Sequence, residues 1–287
     1  MGETLRRQKP SQVEPRDSDS PGASGRNRNR TDTMLGFITG TGFYELPNLD
    51  DVSQRLVRTP YGDVEITIGT WHDRQVGFLP RHGAQHTIAP SRINYRANLW
   101  ALQHLGVKSV FSVCVVGSVR TDIKPGDIVL IDQFLDLTKG RRADTFFDGE
   151  GELRHTDMTY PYSAELRALV THAGKDKAID LVSTGTYGCF EGPRFESAAE
   201  ANMARLLGAH VVGMTGYPEV SLARELGLEF CALAVVSNYA PGIVGNTVSH
   251  EEVTAVTNAA SPKLFRLLDR VVQIFAAPGK GQSGEND

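Results

Sequence analysis

A series of short, nearly uninterrupted apolar runs constrains this chain more than any other feature. Leu35–Thr39, Lys108–Val116, Gly126–Phe134, Ala209–Met214 and Leu228–Val236 are each bounded by glycine, proline or small polar residues. Runs of that length, rich in Val and Ile and apolar on both alternating faces, read as strands buried on both sides. Val64–Gly69 and Gln75–Pro80, separated by Trp71–Arg74, read as a hairpin. Between these runs the apolar period changes to that of a helix. Ile93, Ala97, Trp100, Ala101 and Leu105 follow a capping Ser91 and predict a helix with Trp100 in the core. Ser163–Gly174, Ser221–Gly227 and Pro262–Phe275 read likewise, and Ser249 opens a capping sequence. Pro193 and Glu196 mark another helix start, with Met203, Leu206 and Leu207 as its apolar face and Gly208 as its end. Alternating helices and apolar strands predict the α/β class: a single domain with a central mixed, largely buried sheet flanked by helices.

The domain is expected over residues 34–277. Residues 1–33 hold almost no large apolar side chains and are expected to be a disordered tail, as are residues 278–287. Met34 stands directly before the first strand, and translation is expected to begin there. The Arg26–Arg30 run is read as part of a solvated tail. A net charge of −4 without a basic cluster in the domain argues against a nucleic-acid partner. No apolar run is long enough to span a bilayer, and no signal-like block opens the chain, so a cytoplasmic protein without membrane contact is expected. Cys114, Cys189 and Cys231 lie in or beside apolar runs and form no CxxC pair, which predicts buried free thiols rather than a metal or redox site.

Ligands in such sheets bind beyond the C-terminal ends of the strands, and the polar residues that stand out gather at those ends. Gly40, Thr41 and Gly42 follow the first strand and can turn backbone N–H groups toward an anion, or form a plain tight turn. They are no dinucleotide fingerprint, because Glu45 occupies the third glycine position. Arg81 and His82 follow the hairpin. His86 lies four residues beyond His82, but the intervening Gly83 predicts a loop rather than a helical metal pair. Thr215 follows Met214, and Asn238 ends the most apolar run. Together Thr41, Arg81, His82 and Thr215 can hold a phosphate. Glu196 accepts hydrogen bonds, whereas Asn238 donates and accepts, so the pair can read one edge of a heterocycle. Taken singly, each also fits a loop or helix-cap role. The long aperiodic stretch between Leu137 and Tyr162, which contains His155, reads as a functional or partner-facing loop.

From about Leu35 to Phe275 the chain resembles the trimeric purine nucleoside phosphorylases and their relatives, the methylthioadenosine phosphorylases. The matching stretches include GFITGTGFYE, TPYG, LPRHGAQHTIAPSRINYRANLWAL, PGDIVLIDQFLDLTKGR, EGPRFES, VVGMTGYPEVSLARELG, SNYAPG and SHEEV. The resemblance implies a homotrimer that cleaves a purine nucleoside with inorganic phosphate as co-substrate and needs no metal or organic cofactor. It implies that Thr41, Arg81, His82 and Thr215 bind phosphate. Phe195 stacks on the base, Met214 touches the ribose, and Glu196 and Asn238 read the purine. His250 meets the 5′-hydroxyl and His155 reaches a neighbouring subunit's 5′ pocket. Asn238, Glu196 and His82 are the catalytic candidates.

A 6-oxopurine carries a proton on N1 that Glu196 can accept, whereas adenine presents a lone pair there. The methylthioadenosine branch has serine and aspartate at these two positions, so inosine and guanosine are the expected substrates. Cys114 and Val115 depart from the family's usual phosphate-site residues. That departure keeps methylthioinosine or methylthioadenosine phosphorolysis as the alternative, beside a hydrolase using water and a sensor without turnover.

Overall fold

The computed structural model describes residues 33–43, 49–140, 143–149, 151, 153–245 and 247–276. The expected tails and Glu45 lie outside the described residues, apart from Thr33 at the end of the N-terminal one. The fold is a single α/β domain built on a mixed sheet. Strand β1 (Leu35–Thr39) runs parallel to β4 (Arg74–Pro80) on one side and to β5 (Ser109–Ser118) on the other. Beyond β4 an antiparallel meander adds β3 (Gly62–Trp71) and β2 (Asp50–Thr59). The β3–β4 hairpin expected from the sequence turns through His72 and Asp73, both in the left-handed region, as a twisted two-residue hairpin requires.

Strand β5 is the hinge of the architecture. One edge pairs in parallel along its whole length with β10 (Glu229–Tyr239). The other edge pairs with β1 as far as Ser112 and, from Gly117, with the antiparallel β9 (Val211–Gly213). From β10 the sheet passes to β6 (Ile128–Leu130), whose chain continues into β7 (Gln133–Asp136). Strand β7 pairs with β8 (Thr186–Cys189), and β8 with β9. These strands therefore close on themselves around β5, while β1 to β4 spread away as an open wing.

Alternation along β5 and β10 explains why both read as continuous apolar runs. Val110, Cys114 and Val116 share one core with Ala97, Leu99 and Leu102 of α1 (Tyr95–His104) and Val220 and Leu222 of α4 (Gly216–Glu225). Phe111 and Val113 face the opposite core, filled by Leu166 and Val170 of α2 (Ala164–Asp176) and Leu264, Leu267 and Val271 of α5 (His250–Ala276). Each fully buried Val, Leu or Phe among them contributes roughly 1.5–3 kcal/mol of transfer free energy.

Several local expectations change. Helix α1 starts at Tyr95 because Asn94 accepts from the Ala97 N–H, and Ser91 lies in a single 3₁₀ turn before it. Trp100 packs half-buried against the core that α1 shares with β5 and stacks on His104. Helix α3 (Ala198–Leu206) begins after Ser197, which forms a capping box with Glu200. Pro193 and Glu196 therefore precede it. Its buried face consists of Ala201 and Ala204, and Met203, Leu206 and Leu207 point outward. The Gly126–Phe134 run bends into two strands, because β6 pairs with β10 and β7 with β8. The last helix is one element from His250 through Pro262. Strand β2 carries little apolar signal because it is an exposed edge with only Val57 buried.

Candidate active site

Between its last β1 pair at Ser112 and its first β9 pair at Gly117, one edge of β5 has no strand partner among the described residues. A cavity of about 410 Å³ opens there. Val115, Val116 and Gly117 form its floor, and the ends of β1, β4, β9 and β10 converge on it. This is the crevice at a switch in strand order where ligands of α/β sheets bind. Thr41, Arg81, His82, Phe195, Glu196, Met214, Thr215 and Asn238 all line this cavity. His155 does not; it is exposed in the stretch after β7. His250 opens α5 a turn before Val253, which does line the cavity, and its side chain lies outside the described residues.

Arg81 fills the gap in the β5 edge. Its Nη1 donates to the Val113 carbonyl at 2.7 Å and its Nη2 to the Ile38 carbonyl at 3.3 Å, so it ties the diverging strands together. Glu219, at the start of α4, takes Nε at 2.6 Å and Nη2 at 3.2 Å. Ser112 accepts from Nη2 and donates to Glu219, both at 2.8 Å. Arg81 and Glu219 are both almost fully enclosed. Burial alone would lower the guanidinium's pKa, and Glu219 overrides it, holding Arg81 above its ordinary range. Gly40 is what allows this approach, since a Cβ there would stand 2.7 Å from Nη1.

His82 faces the cavity with a fixed tautomer. Its Nδ1 lies 2.8 Å from the Ile88 carbonyl and must carry the proton, which leaves Nε2 as a bare acceptor. Burial, followed by the nearby Arg81 and His86, pushes its pKa down to about 4, so the ring is neutral at pH 7. The His86 ring lies 4.6 Å away, centroid to centroid, on a loop residue with positive φ. No group of three or more metal-ligating side chains occurs among the described residues. Thr215 closes this corner. Its N–H donates to Tyr187 Oη at 3.2 Å, and its hydroxyl makes only a weak contact with Cys114 Sγ at 3.7 Å. Cys114 points into the interior beside Ser112, and burial raises its pKa. Of the two departures from the family pattern, only Val115 reaches the cavity.

The far end presents hydrogen-bonding groups to the cavity. Glu196 is buried, and its Oε1 has no partner among the described residues. Desolvation disfavours its charged form and raises its pKa, a cost that a hydrogen-bond donor on a ligand would offset. Asn238 sits just after a bulge in β10 between Val236 and Asn238, which turns its side chain toward the cavity. Its Oδ1 accepts from Ser237 Oγ at 2.7 Å and its Nδ2 donates to the Tyr239 carbonyl at 2.8 Å, so the amide is locked with one N–H left over. Phe195, 39% exposed, covers the mouth.

Glu219, Ser112, Ser237 and the Ile88 carbonyl are the supporting groups that the sequence left unassigned. Ser112 carried a signal, as a hydroxyl within an apolar run needs a buried partner. Glu219 carried none, because a first-turn carboxylate is ordinary at any helix start.

The model of the phosphorylase superfamily matches residues 34–273. A probable 6-oxopurine nucleoside phosphorylase of Thermococcus kodakarensis is 42% identical over 83% of this chain and 91% of its own. An S-methyl-5′-thioadenosine phosphorylase of Thermofilum pendens is also 42% identical, over 82% of this chain and 89% of its own. Among solved structures, the methylthioadenosine phosphorylase of Schistosoma mansoni in complex with adenine superposes with a TM-score of 0.81 at 30% identity, covering 86% of this chain and 93% of that one.

Proposed function

This chain belongs to the phosphorylase superfamily, and from that premise we propose that it cleaves 6-oxopurine nucleosides, inosine and guanosine first, releasing the free base and ribose 1-phosphate. The observation that carries the choice of substrate is the unpartnered, buried Glu196 Oε1 in the same cavity as Asn238. A carboxylate there pairs with the N1–H of a 6-oxopurine and would face a lone pair on adenine, which costs a buried unsatisfied group.

In this reading phosphate sits at the opposite end, among Thr41, Arg81, His82 and Thr215. As the glycosidic bond loosens, the ribosyl group gains positive charge, and the phosphate beside it supplies the compensating negative charge. The remaining N–H of Asn238 donates to the purine as charge builds on the leaving base. Phe195 stacks on the ring, and Met214 lines the space between base and phosphate. Holding both reactants in one cavity supplies the proximity contribution. No cofactor is required, phosphate being the second substrate.

The same reading includes a cytoplasmic homotrimer in purine salvage, with His155 and His250 at the 5′ end of the nucleoside. No helix among the described residues is long and apolar enough to cross a membrane, and the three cysteines are buried and in no disulfide. The alternative is phosphorolysis of 5′-methylthio nucleosides. Equal identity to the Thermofilum pendens enzyme favours it, whereas Glu196 and Asn238 do not. One assay decides: base release from inosine, guanosine, adenosine, methylthioadenosine and methylthioinosine, with and without phosphate. Release without phosphate would overturn the phosphorolysis reading, and preference for methylthioadenosine would overturn the 6-oxopurine assignment.

A further inference from the structure

The geometry points to Glu219 as a positioning residue that sets the charge of the phosphate site: it neutralises Arg81, so that bound phosphate keeps its negative charge for the ribosyl cation. This deepens the phosphorolysis reading and rests on it. Three observations lead there. Arg81 is the cation of the cavity's phosphate end, yet its Nε and one Nη2 hydrogen are taken by the two Glu219 oxygens. All the described contacts on Glu219 come from donors: Arg81 twice, and the Ser112 hydroxyl. That is the environment of an ionised, acceptor-only carboxylate. His82, a second basic group at this end, has its Nδ1 proton committed to the Ile88 carbonyl and presents a lone pair. His86, which also lines the cavity, stands next to it on an exposed loop. The dyad of Arg81 and Glu219 thus adds no net charge, and among the described contacts only Nη1, beside Gly40, retains a hydrogen outside the protein's own bonds.

The chemical consequence concerns the ground state and the transition state differently. An unpaired guanidinium would bind phosphate more tightly before reaction. It would also cancel the charge that phosphate must offer as the glycosidic bond breaks. Such a site would gain affinity and lose rate. Pairing Arg81 with a buried carboxylate keeps its hydrogen bond and its geometry while returning the charge to the phosphate. Ser112 fixes the two partners by bonding to both.

The test is E219Q, which keeps the side chain's shape and its acceptor oxygen while removing the charge. Phosphate affinity is measured by calorimetry, and chemistry by single-turnover cleavage of inosine. The expected result is a split in opposite directions: phosphate binds severalfold more tightly, and the single-turnover rate falls by about tenfold or more. E219D, which keeps the charge, should move both values back toward the native ones. A purely structural role for Glu219 would weaken phosphate binding and slow chemistry together. Weaker phosphate binding in E219Q, or an unchanged single-turnover rate, would overturn the proposal. Should E219Q fail to fold, phosphorus NMR on the native protein decides. Bound phosphate should titrate no lower than free phosphate, and a midpoint lower by about one pH unit or more would overturn the proposal. Native protein without phosphate-dependent base release would overturn the phosphorolysis reading and this inference together, whereas an active native enzyme with the wrong E219Q pattern would overturn this inference alone.

Discussion

Glu196→Gln should uncouple stability from activity. In the free protein Glu196 Oε1 is buried without a partner, and desolvation raises its pKa. A raised carboxyl pKa means that the folded state favours the protonated form. This contribution to stability is fully present below the unfolded pKa and is lost as pH rises through the folded one. At neutral pH the ionised group is therefore a burden on the fold, and the neutral amide removes it. Thermal stability of E196Q at pH 7 should match or exceed that of the native protein, and its excess should vanish toward pH 4. Activity should move the other way. Because Oε1 has no partner among the described residues, the proposed reading has the whole charge-assisted bond to N1–H gained on binding. Such a bond is worth about 1.5–3 kcal/mol, so kcat/KM for inosine should fall about 10- to 150-fold. Steady-state phosphorolysis of inosine and guanosine, with thermal unfolding scanned across pH, provides both readouts. A kcat/KM within about threefold of native, or a marked loss of stability at pH 7, would refute the argument that this carboxylate is kept for the base.

Asn238→Asp removes the one free N–H and sets a carboxylate oxygen against the Tyr239 carbonyl, now 2.8 Å from Nδ2; inosine turnover should fall about tenfold or more, and the adenosine-to-inosine ratio should rise, as read by base release. For His82, whose folded pKa of about 4 lies below the ordinary 6.5, the neutral ring's contribution is present above pH 6.5 and is lost as pH falls toward 4. Unfolding midpoints of native protein and His82→Gln should therefore converge over that window, and parallel pH curves would contradict the assignment. Gly213→Ala would put a Cβ 2.2 Å from Tyr187 Oη, whose hydroxyl also receives the Thr215 N–H. Overpacking of this kind costs about 1–3 kcal/mol, readable as a lowered urea midpoint.

The residues that touch substrate in the proposed reading were legible as types at places. Thr41, Arg81, His82, Thr215, Glu196 and Asn238 each follow an apolar run or lead into a helix, and the fold brings all six to one cavity. Their supporting partners were not legible. Arg81 and Glu219 are far apart in the chain, and nothing near either names the other, because an ion pair is a property of three-dimensional proximity. That the Met203, Leu206 and Leu207 group faces outward was not legible for a related reason. Helical periodicity shows that residues share a face, but not which face meets the core, and in α3 the small face of Ala201 and Ala204 is the one that packs.

By itself the sequence determined the α/β class, since continuous apolar runs are soluble only when covered on both sides. It also placed the polar residues at the strand ends and paired a carboxylate with a carboxamide. Tertiary structure alone decided that one edge of β5 would stand open between Ser112 and Gly117, and that Arg81 would bridge the gap. It alone decided that Glu219 would meet that charge, that Ser237 would fix the Asn238 amide, and that Glu196 would be buried with nothing to bond. Local pattern determines local conformation, whereas charge state, tautomer and hydrogen-bond saturation depend on neighbours that only the closed fold supplies.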